Sequence, residues 1–275
     1  MNAQVSRRSV LGALVVSFSL SRAFAQEGGQ QAAAAPNLPG SLRSTPMLDA
    51  WVRIDSAGQI TVFTGKVELG QGIKTALIQI AAEELDVPPG AIRLITADTA
   101  LTPDEGVTAG SHSMQDSGTA ILNACANVRA LLAEAAATQL SLAPAQVTTS
   151  GDGKMIAGGR SATYGELASS LSLHVQAKSN MPRRAGAHKQ IGRDLRRVDI
   201  PAKLTGGPAY VHDLRLPGML HARVLRGPSD GTSIDVSSVA SQVEAMPGVV
   251  KLVRNGGFCA VVAEREWTAI QALQR

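Results

Sequence analysis

Aromatic residues are scarce in this sequence, with two Trp, two Tyr and four Phe in 275 residues. The chain therefore lacks the stacking residues on which proteins seat single-stranded nucleic acid. Cysteine is scarcer still: Cys125 and Cys259 stand far apart in apolar surroundings, and neither belongs to a CxxC pair. That spacing excludes a cysteine-held zinc site or iron–sulfur cluster within the chain. A disulfide between them is open to an exported protein, but two buried thiols are the simpler reading. Any redox role must rest on a cofactor not held by cysteine, or on a partner chain.

Long apolar runs are also missing from the N-terminus. Val10 to Leu20 is apolar but far below the roughly 20 residues that span a bilayer, so no transmembrane helix is expected. The stretch instead fits an export signal over residues 1–25. Arg7 and Arg8 form its positive start, and Ala23-Phe24-Ala25 supplies a small-x-small cleavage pattern before Gln26. Ser6-Arg7-Arg8-Ser9-Val10-Leu11 is of the twin-arginine type, with Val10 where Phe is more usual. The expected destination is the periplasm. The signal carries three Arg and no acid, so its removal leaves 23 basic against 22 acidic residues, a net charge of +1. A basic surface for nucleic acid is thereby excluded.

Residues 26–46 are rich in Gln, Ala, Gly and Pro and read as a flexible linker. Folded sequence begins near Leu48. Two alternating runs, Ala50 to Ile54 and Gln59 to Phe63, flank Asp55-Ser56-Ala57-Gly58 as a hairpin. A helix follows over Ile73–Leu85, with Ala76, Leu77, Ile80, Ala81 and Leu85 on one face, and then a strand over Ile92–Ala97. After a polar loop from Thr99 to Ser117, an Ala-rich helix runs from about Gly118 to Leu140. Short strands are expected near Val147 and Met155, and a small helix over Tyr164–Leu171. The mixture predicts an α+β fold. Residues 172–190 read as an interdomain linker, and the basic run Arg183 to Arg197 as solvated. Beyond it come strands at Ala209–Val211, Leu220–Leu225, Val249–Val253 and Cys259–Ala263, and a helix begins near Glu264.

Two segments could carry chemistry. Leu69-Gly70-Gln71-Gly72 places two glycines before a helix, where backbone N–H groups and the helix dipole favour a bound group. Gln71 adds a donor and an acceptor. A tight strand-to-helix turn would use the same residues. Thr108-Ala109-Gly110-Ser111-His112-Ser113 is a small-residue loop with three hydroxyls, suited to phosphate or pterin contacts, or simply to introducing the helix after it. The segments flank one strand and are expected to converge at its end.

These residues resemble the molybdenum hydroxylases of the xanthine dehydrogenase and aldehyde oxidase superfamily. The likeness rests on Val67 to Thr75 with Ala81-Ala82-Glu83-Glu84-Leu85, on Thr108 to Ser113 with Gly118, on Arg197 to Gly206, and on Asp213 to Ala222. The last two are similar to the opening of the α/β hammerhead domain. Because the Gly-Gln-Gly segment precedes that domain, the order resembles the exported branch that includes isoquinoline 1-oxidoreductase and nicotinate dehydrogenase large subunits.

The resemblance implies a partial molybdopterin-binding domain over residues 47–171 and a hammerhead domain over 191–275. It places Gly70, Gln71 and Gly72 at the pterin and molybdenum, and Thr108, Gly110, Ser111 and Ser113 at the pterin and its phosphate. It further implies molybdopterin cytosine dinucleotide as cofactor and hydroxylation of an N-heterocycle or oxidation of an aldehyde, with oxygen from water. Electrons would pass to a small [2Fe–2S] subunit, and onward to an acceptor such as a cytochrome c. The family's catalytic Glu follows a Gly near the end of a longer chain. The only Gly-Glu pair here, Gly165-Glu166, is placed to start a small helix. No catalytic residue and no metal ligand is therefore assigned, and the chain is expected to be the N-terminal part of a subunit, inactive alone. A non-catalytic periplasmic binding or assembly module, or a non-functional fragment, are the alternatives. His112, His212 and His221 are read as loop or strand residues, Glu68 as structural, and Asp98, Asp104 and Glu105 as solvated.

Overall fold

A computed structural model describes residues 38–229, 231–232 and 234–275, so residues 1–25, expected to be an export signal, lie outside the described residues. Two compact units divide after Ile200, later than the sequence pattern places the second domain.

In the first unit, β1 (Val52–Ile54) and β2 (Ile60–Thr64) form the expected hairpin, with Ile54 opposite Ile60. Asp55 makes the turn: its Oδ1 accepts from the backbone N–H of Ala57 (3.0 Å) and Gln59 (2.9 Å), the local bonding that favours Asp in turns. The chain then climbs through α1 (Ile73–Leu85) and returns as β3 (Ile92–Thr96), parallel to β2 from Ile60↔Ile92 to Thr64↔Thr96. The order β1-β2-β3 makes β2 central. This β-α-β connection sets the C-terminal ends of β2 and β3 side by side, the edge from which such sheets present ligand loops.

A π-helical turn, Met114–Gly118, leads into α2 (Thr119–Leu140). Its alanines permit close packing, and Ala120, Ala124 and Ala136 join Leu77, Ala81 and Leu85 in the main core. Met114–Leu140 is long and apolar enough to cross a membrane by length and composition, yet 61% of its apolar 18-residue window is buried inside the fold. Packed there, it serves as the central core helix. Cys125 on α2 and Cys259 are both buried free thiols.

A second small sheet, β4 (Thr148–Thr149), β5 (Lys154–Ala157) and β6 (Arg160–Thr163), exceeds the two strands expected. Gly158 and Gly159, at φ +55° and +74°, close the β5–β6 hairpin, a two-glycine signal legible in the sequence. Next comes α3 (Tyr164–Ala168), started by the Gly165-Glu166 pair as expected. Thr163 Oγ1 accepts from Glu166 N (3.2 Å), and Glu166 Oε2 accepts from Thr163 N (2.7 Å). That reciprocal pair is a capping box.

Two stretches read as flexible or solvated are tied to the fold. Residues 38–46 are not free linker, because Leu38 and Leu42 sit in the core at 1% and 0% exposure. The segment from Ser172 to Asp199 stays largely exposed, as expected, but it is fastened to the fold at several points. Ala177 N donates to Pro46 O (2.8 Å) and Lys178 N to Asn127 Oδ1 (2.9 Å), and residues 183–199 lie along the polar side of α1. This strap explains why Glu83 and Glu84 are buried, contrary to a helix with one apolar face.

The second unit starts at Pro201, as α4 (Ile200–Thr205) begins. Its antiparallel sheet has the order β7-β9-β8, with β7 His221–Leu225, β8 Val249–Asn255 and β9 Phe258–Ala263. Together with α5 (Ala240–Glu244) and α6 (Glu266–Leu273) it encloses a small core of Val236, Val243, Leu252, Cys259, Val261 and Ala272. The strand expected at Ala209–Val211 is absent. Asp213 Oδ2 accepts from Ala209 N (3.1 Å) and Tyr210 N (2.9 Å) and curls this stretch into a turn. His212 consequently lies in a turn rather than a strand and stacks on Tyr210, whereas His221 does begin β7.

Candidate functional site

The site grows from the end of β2. Thr64 is fully buried there, and its hydroxyl bonds Glu105 Oε2 (2.6 Å) and Ser117 Oγ (3.0 Å). Ser117 Oγ donates to Glu105 Oε1 (2.7 Å), and Gly65 N donates to Glu105 Oε2 (2.8 Å). One carboxylate therefore joins the strand, the following loop and the start of α2. Glu105 is consequently not a solvated acid, because its lone pairs are taken by strand and helix-start donors. Asp104 does stay at the surface and closes a turn by accepting from Gly106 N (2.9 Å); Asp98 does the same for Ala100 N (2.9 Å).

The Gly-Gln-Gly turn follows directly, but its amides are already occupied. Glu68 Oε1 accepts from Gly70 N (2.8 Å) and Gly72 N (2.9 Å), and Oε2 from Lys74 N (3.1 Å). Burial alone would raise the Glu68 carboxyl, but the N–H groups of Gly72, Lys74 and Gly70 prevail and hold it below the usual value. Glu68 is structural, as expected, and it corrects the expectation of free backbone donors at the α1 N-terminus. Gln71 is likewise engaged within the turn: Oε1 accepts from Leu69 N (2.6 Å) and Nε2 donates to Val67 O (2.9 Å). Gly70 stays open, with φ +115° and nothing within 4 Å of where a Cβ would stand. Gly72 takes φ +84°, and a Cβ placed on it would stand 3.5 Å from the Arg197 guanidinium.

The second segment does converge on the first. Thr108 Oγ1 accepts from Val67 N (2.9 Å), which sets Thr108 beside the start of the Gly-Gln-Gly loop. Gly110 and Ser111 both take φ +60°, and their stretch is exposed. Among the described residues, the Ser111 and Ser113 hydroxyls bond no protein atom, whereas Thr108 is spent in part on Val67. His112 is exposed, 3.8 Å from Asp116 one helical turn on, and opens the helical run into α2 instead of lying in the loop. Between the end of β2 and the stretch that follows β3 opens a crevice of about 380 Å³, lined by Gly65, Val67, Ala97, Thr102, Glu105 and Gly106. A larger hollow of about 640 Å³ lies at the opposite end of α1, beside Asp86, Arg129 and Lys189. Of the two motif segments only Val67 reaches the crevice, and neither hollow is lined by Gly70 to Gly72 or by Thr108 to Ser113.

Three residues of this region escaped the sequence pattern. Glu105 looked like any acid in a polar loop, Lys66 like any lysine beside a strand, and Arg197 like part of the second domain. Arg197 pairs with Asp199 (Nη2–Oδ2 2.6 Å) and stands 3.6 Å from Glu68, within the first unit. Among the described residues there is no His, Cys, Asp or Glu cluster able to hold a metal ion.

Residues 15–194 match a family described as the molybdopterin cofactor-binding domain. A nicotinate dehydrogenase subunit of Pseudomonas putida is 37% identical over 238 residues, which is 82% of this chain and 20% of that one. The beta subunit of isoquinoline 1-oxidoreductase from Brevundimonas diminuta is 30% identical over 235 residues, covering 68% of this chain and 30% of that one. A membrane-bound aldehyde dehydrogenase (pyrroloquinoline-quinone) of Gluconacetobacter polyoxogenes is 28% identical over 251 residues, covering 86% of this chain and 32% of that one. The chain thus spans between a fifth and a third of these relatives. The chain belongs to the molybdenum hydroxylases, through the molybdopterin cofactor-binding domain that it matches.

Proposed function

We propose that this chain forms part of the molybdopterin site in the large subunit of an exported molybdenum hydroxylase. The observation that carries the reading is the Val67–Thr108 contact, which joins two family motifs at the C-terminal edge of the β2–β3 pair. The fit is good at two places. Gly70 leaves its backbone open to close approach, and Ser111 and Ser113 offer unspent hydroxyls to the oxygens of a pterin phosphate. At a third place it requires a change, since Gln71 must give up its bonds to Leu69 and Val67 before its amide can meet a ligand.

When bound, a molybdenum cofactor supplies the acceptor for two electrons and the route by which oxygen from water reaches a carbon. The chain's own residues bind and orient. Glu68 fixes the turn, Gly70 admits the ligand, and Thr108 to Ser113 supply hydrogen bonds. The reading includes the cytosine dinucleotide form of the cofactor, a [2Fe–2S] partner subunit that receives the electrons, and a hammerhead role for the second unit. The names of the nicotinate and isoquinoline relatives support a nitrogen heterocycle as substrate, with an aldehyde as the alternative. Arg7 and Arg8 support twin-arginine export to the periplasm, a route suited to cargo that folds around its cofactor first.

Co-expression with a small iron–sulfur subunit tests this. Periplasmic complex should contain molybdenum and cytosine nucleotide, Gln71→Ala should lower the molybdenum content, and Arg7→Lys with Arg8→Lys should strand the chain in the cytoplasm. Periplasmic complex without molybdenum or nucleotide refutes the cofactor reading. Continued export of the double Lys variant refutes the twin-arginine route.

A further inference from the structure

Lys66 is 1% exposed, yet its ammonium is fully satisfied. Nζ donates to Glu105 O (2.7 Å) and Val107 O (3.2 Å) and lies 3.1 Å from Asp116 Oδ2. An ammonium has three donors, and here each has an acceptor. Those acceptors come from the loop after β3 and from the π-turn before α2. The carbonyls of 105 and 107 flank Gly106, which takes φ +65°, so the loop bends around the charge much as a backbone wraps a cation.

We propose that Lys66 is a positioning residue of the cofactor site, an internal cation that sets the loop carrying Thr108, Gly110 and Ser111 against the Gly-Gln-Gly turn. Val107, whose carbonyl it binds, immediately precedes Thr108, and Thr108 holds Val67, the residue after Lys66. The two loops are therefore closed on each other from both sides, by a charge inside and a hydroxyl outside. Burying an ammonium without partners costs several kcal/mol, so the loop cannot lift from Lys66 unless water replaces its carbonyls. A neutral side chain removes that penalty and frees the loop. The role at the cofactor rests on the function proposed above; the coupling of the loops does not.

The test is amide hydrogen exchange on the full chain. Gly65 N and Val67 N are bonded to Glu105 and Thr108, so they report the closed arrangement. In Lys66→Met their exchange should quicken at least tenfold, while the Val62 amide within the sheet keeps its rate. Lys66→Arg, which retains charge and donors, should recover part of the protection. A core variant of equal global stability, such as Leu132→Ala, should leave Gly65 and Val67 unchanged. Should Lys66→Met fail to fold, Asp116→Asn is read at the same amides and should show a smaller change of the same kind. Unchanged local exchange in the variants overturns the proposal, as does equal loosening in the core control. In the co-expressed complex, Lys66→Met should also hold less molybdenum than wild type. Equal content overturns the positioning role at the cofactor. A wild-type complex without molybdenum strikes the proposed function instead and leaves the exchange result standing.

Discussion

The Arg184 guanidinium closes on the buried Glu83 carboxylate from 101 residues further along the chain. Nε also donates to Glu83 Oε1 (3.1 Å), and Oε2 receives the backbone N–H of Lys189 (2.9 Å), Gln190 (2.6 Å) and Ile191 (3.1 Å). The contact is one of a series along α1. Thr75 accepts from Val198 N (3.0 Å), Gln79 donates to Arg193 O (2.9 Å), and Asp86 binds Lys189 Nζ (2.6 Å). Positions 75, 79, 83 and 86 recur at helical spacing, so they form one stripe. The strap runs antiparallel to α1 over that stripe and ends with Arg197 over Gly72.

Breaking one partner of this buried pair should cost more than breaking both. Arg184→Met leaves Glu83 charged with fewer donors, and a loss of about 3 kcal/mol is expected in denaturant unfolding of the chain. Combining it with Glu83→Gln should recover part of that loss, since neither side then buries an unmatched charge. Limited proteolysis should cut Arg184→Met between residues 183 and 193 well before α1 or α2. If the double variant loses the full sum of the two single losses, the residues are not coupled as the geometry requires.

The same carboxylate gives the strap an acid limit. Burial alone would raise the Glu83 carboxyl, but Arg184 and the N–H groups of Gln190, Ile191 and Lys189 outweigh it and hold it at about 2, against an ordinary 4.5. Arg184 and His188 face it, while Arg129 pairs with the neighbouring Glu84 and Lys189 with Asp86. A carboxyl with a lower pKa folded than unfolded binds fewer protons when folded. Its contribution is therefore complete above about pH 4.5 and fades as the pH falls toward 2. Exchange at the Gln190 and Ile191 amides should accelerate across that window in wild type. In Glu83→Gln those amides should already exchange quickly above pH 4.5, with little further change below it. Superimposable curves would show that Glu83 does not hold the strap.

How much of this could be read beforehand depended on the range of each interaction. The β1–β2 hairpin, α1, β3 and α2 are carried by local periodicity and by Asp55 and Gly58, and they appear where the pattern places them. The strap has no such local signature. Arg184, Lys189 and Arg197 look solvated until Glu83, Asp86 and Glu68 are brought to them by the fold. Glu105 escaped for the same reason, because its partners Thr64 and Ser117 lie 41 and 12 residues away. The two motif loops were expected to converge, and the β-α-β geometry brings Val67 to Thr108. The free amides expected at the Gly-Gln-Gly turn were not found, because Glu68, two residues before Gly70, folds back to take them. At Ala209–Val211 an apolar, β-favouring run lost to Asp213, whose carboxylate offered the backbone a tighter partner.

Gly65 offers the sharpest test that the two loops form one site. Its φ is not in the left-handed region, so an alanine there suffers no backbone strain of its own. The obstacle is space. A Cβ on Gly65 would overlap the Pro103 carbonyl oxygen and come within 3.2 Å of Glu105 N. Both are backbone atoms, which cannot rotate aside as a long side chain can. Gly65→Ala must therefore push the 103–105 stretch outward and lengthen the bonds from Glu105 to Thr64 and Ser117. The cost should fall in the range of overpacked interiors, about 1–3 kcal/mol, and the damage should be local. Exchange should rise at Gly106 to Thr108 and at Val67, while the second unit and the β4-β5-β6 sheet keep their protection. Gly70→Ala is the matched comparison. It meets nothing within 4 Å but carries a φ of +115°, so its cost is conformational and should stay within the turn. If the two variants loosen the same amides to the same degree, close packing of Gly65 against Pro103 is not what joins the loops.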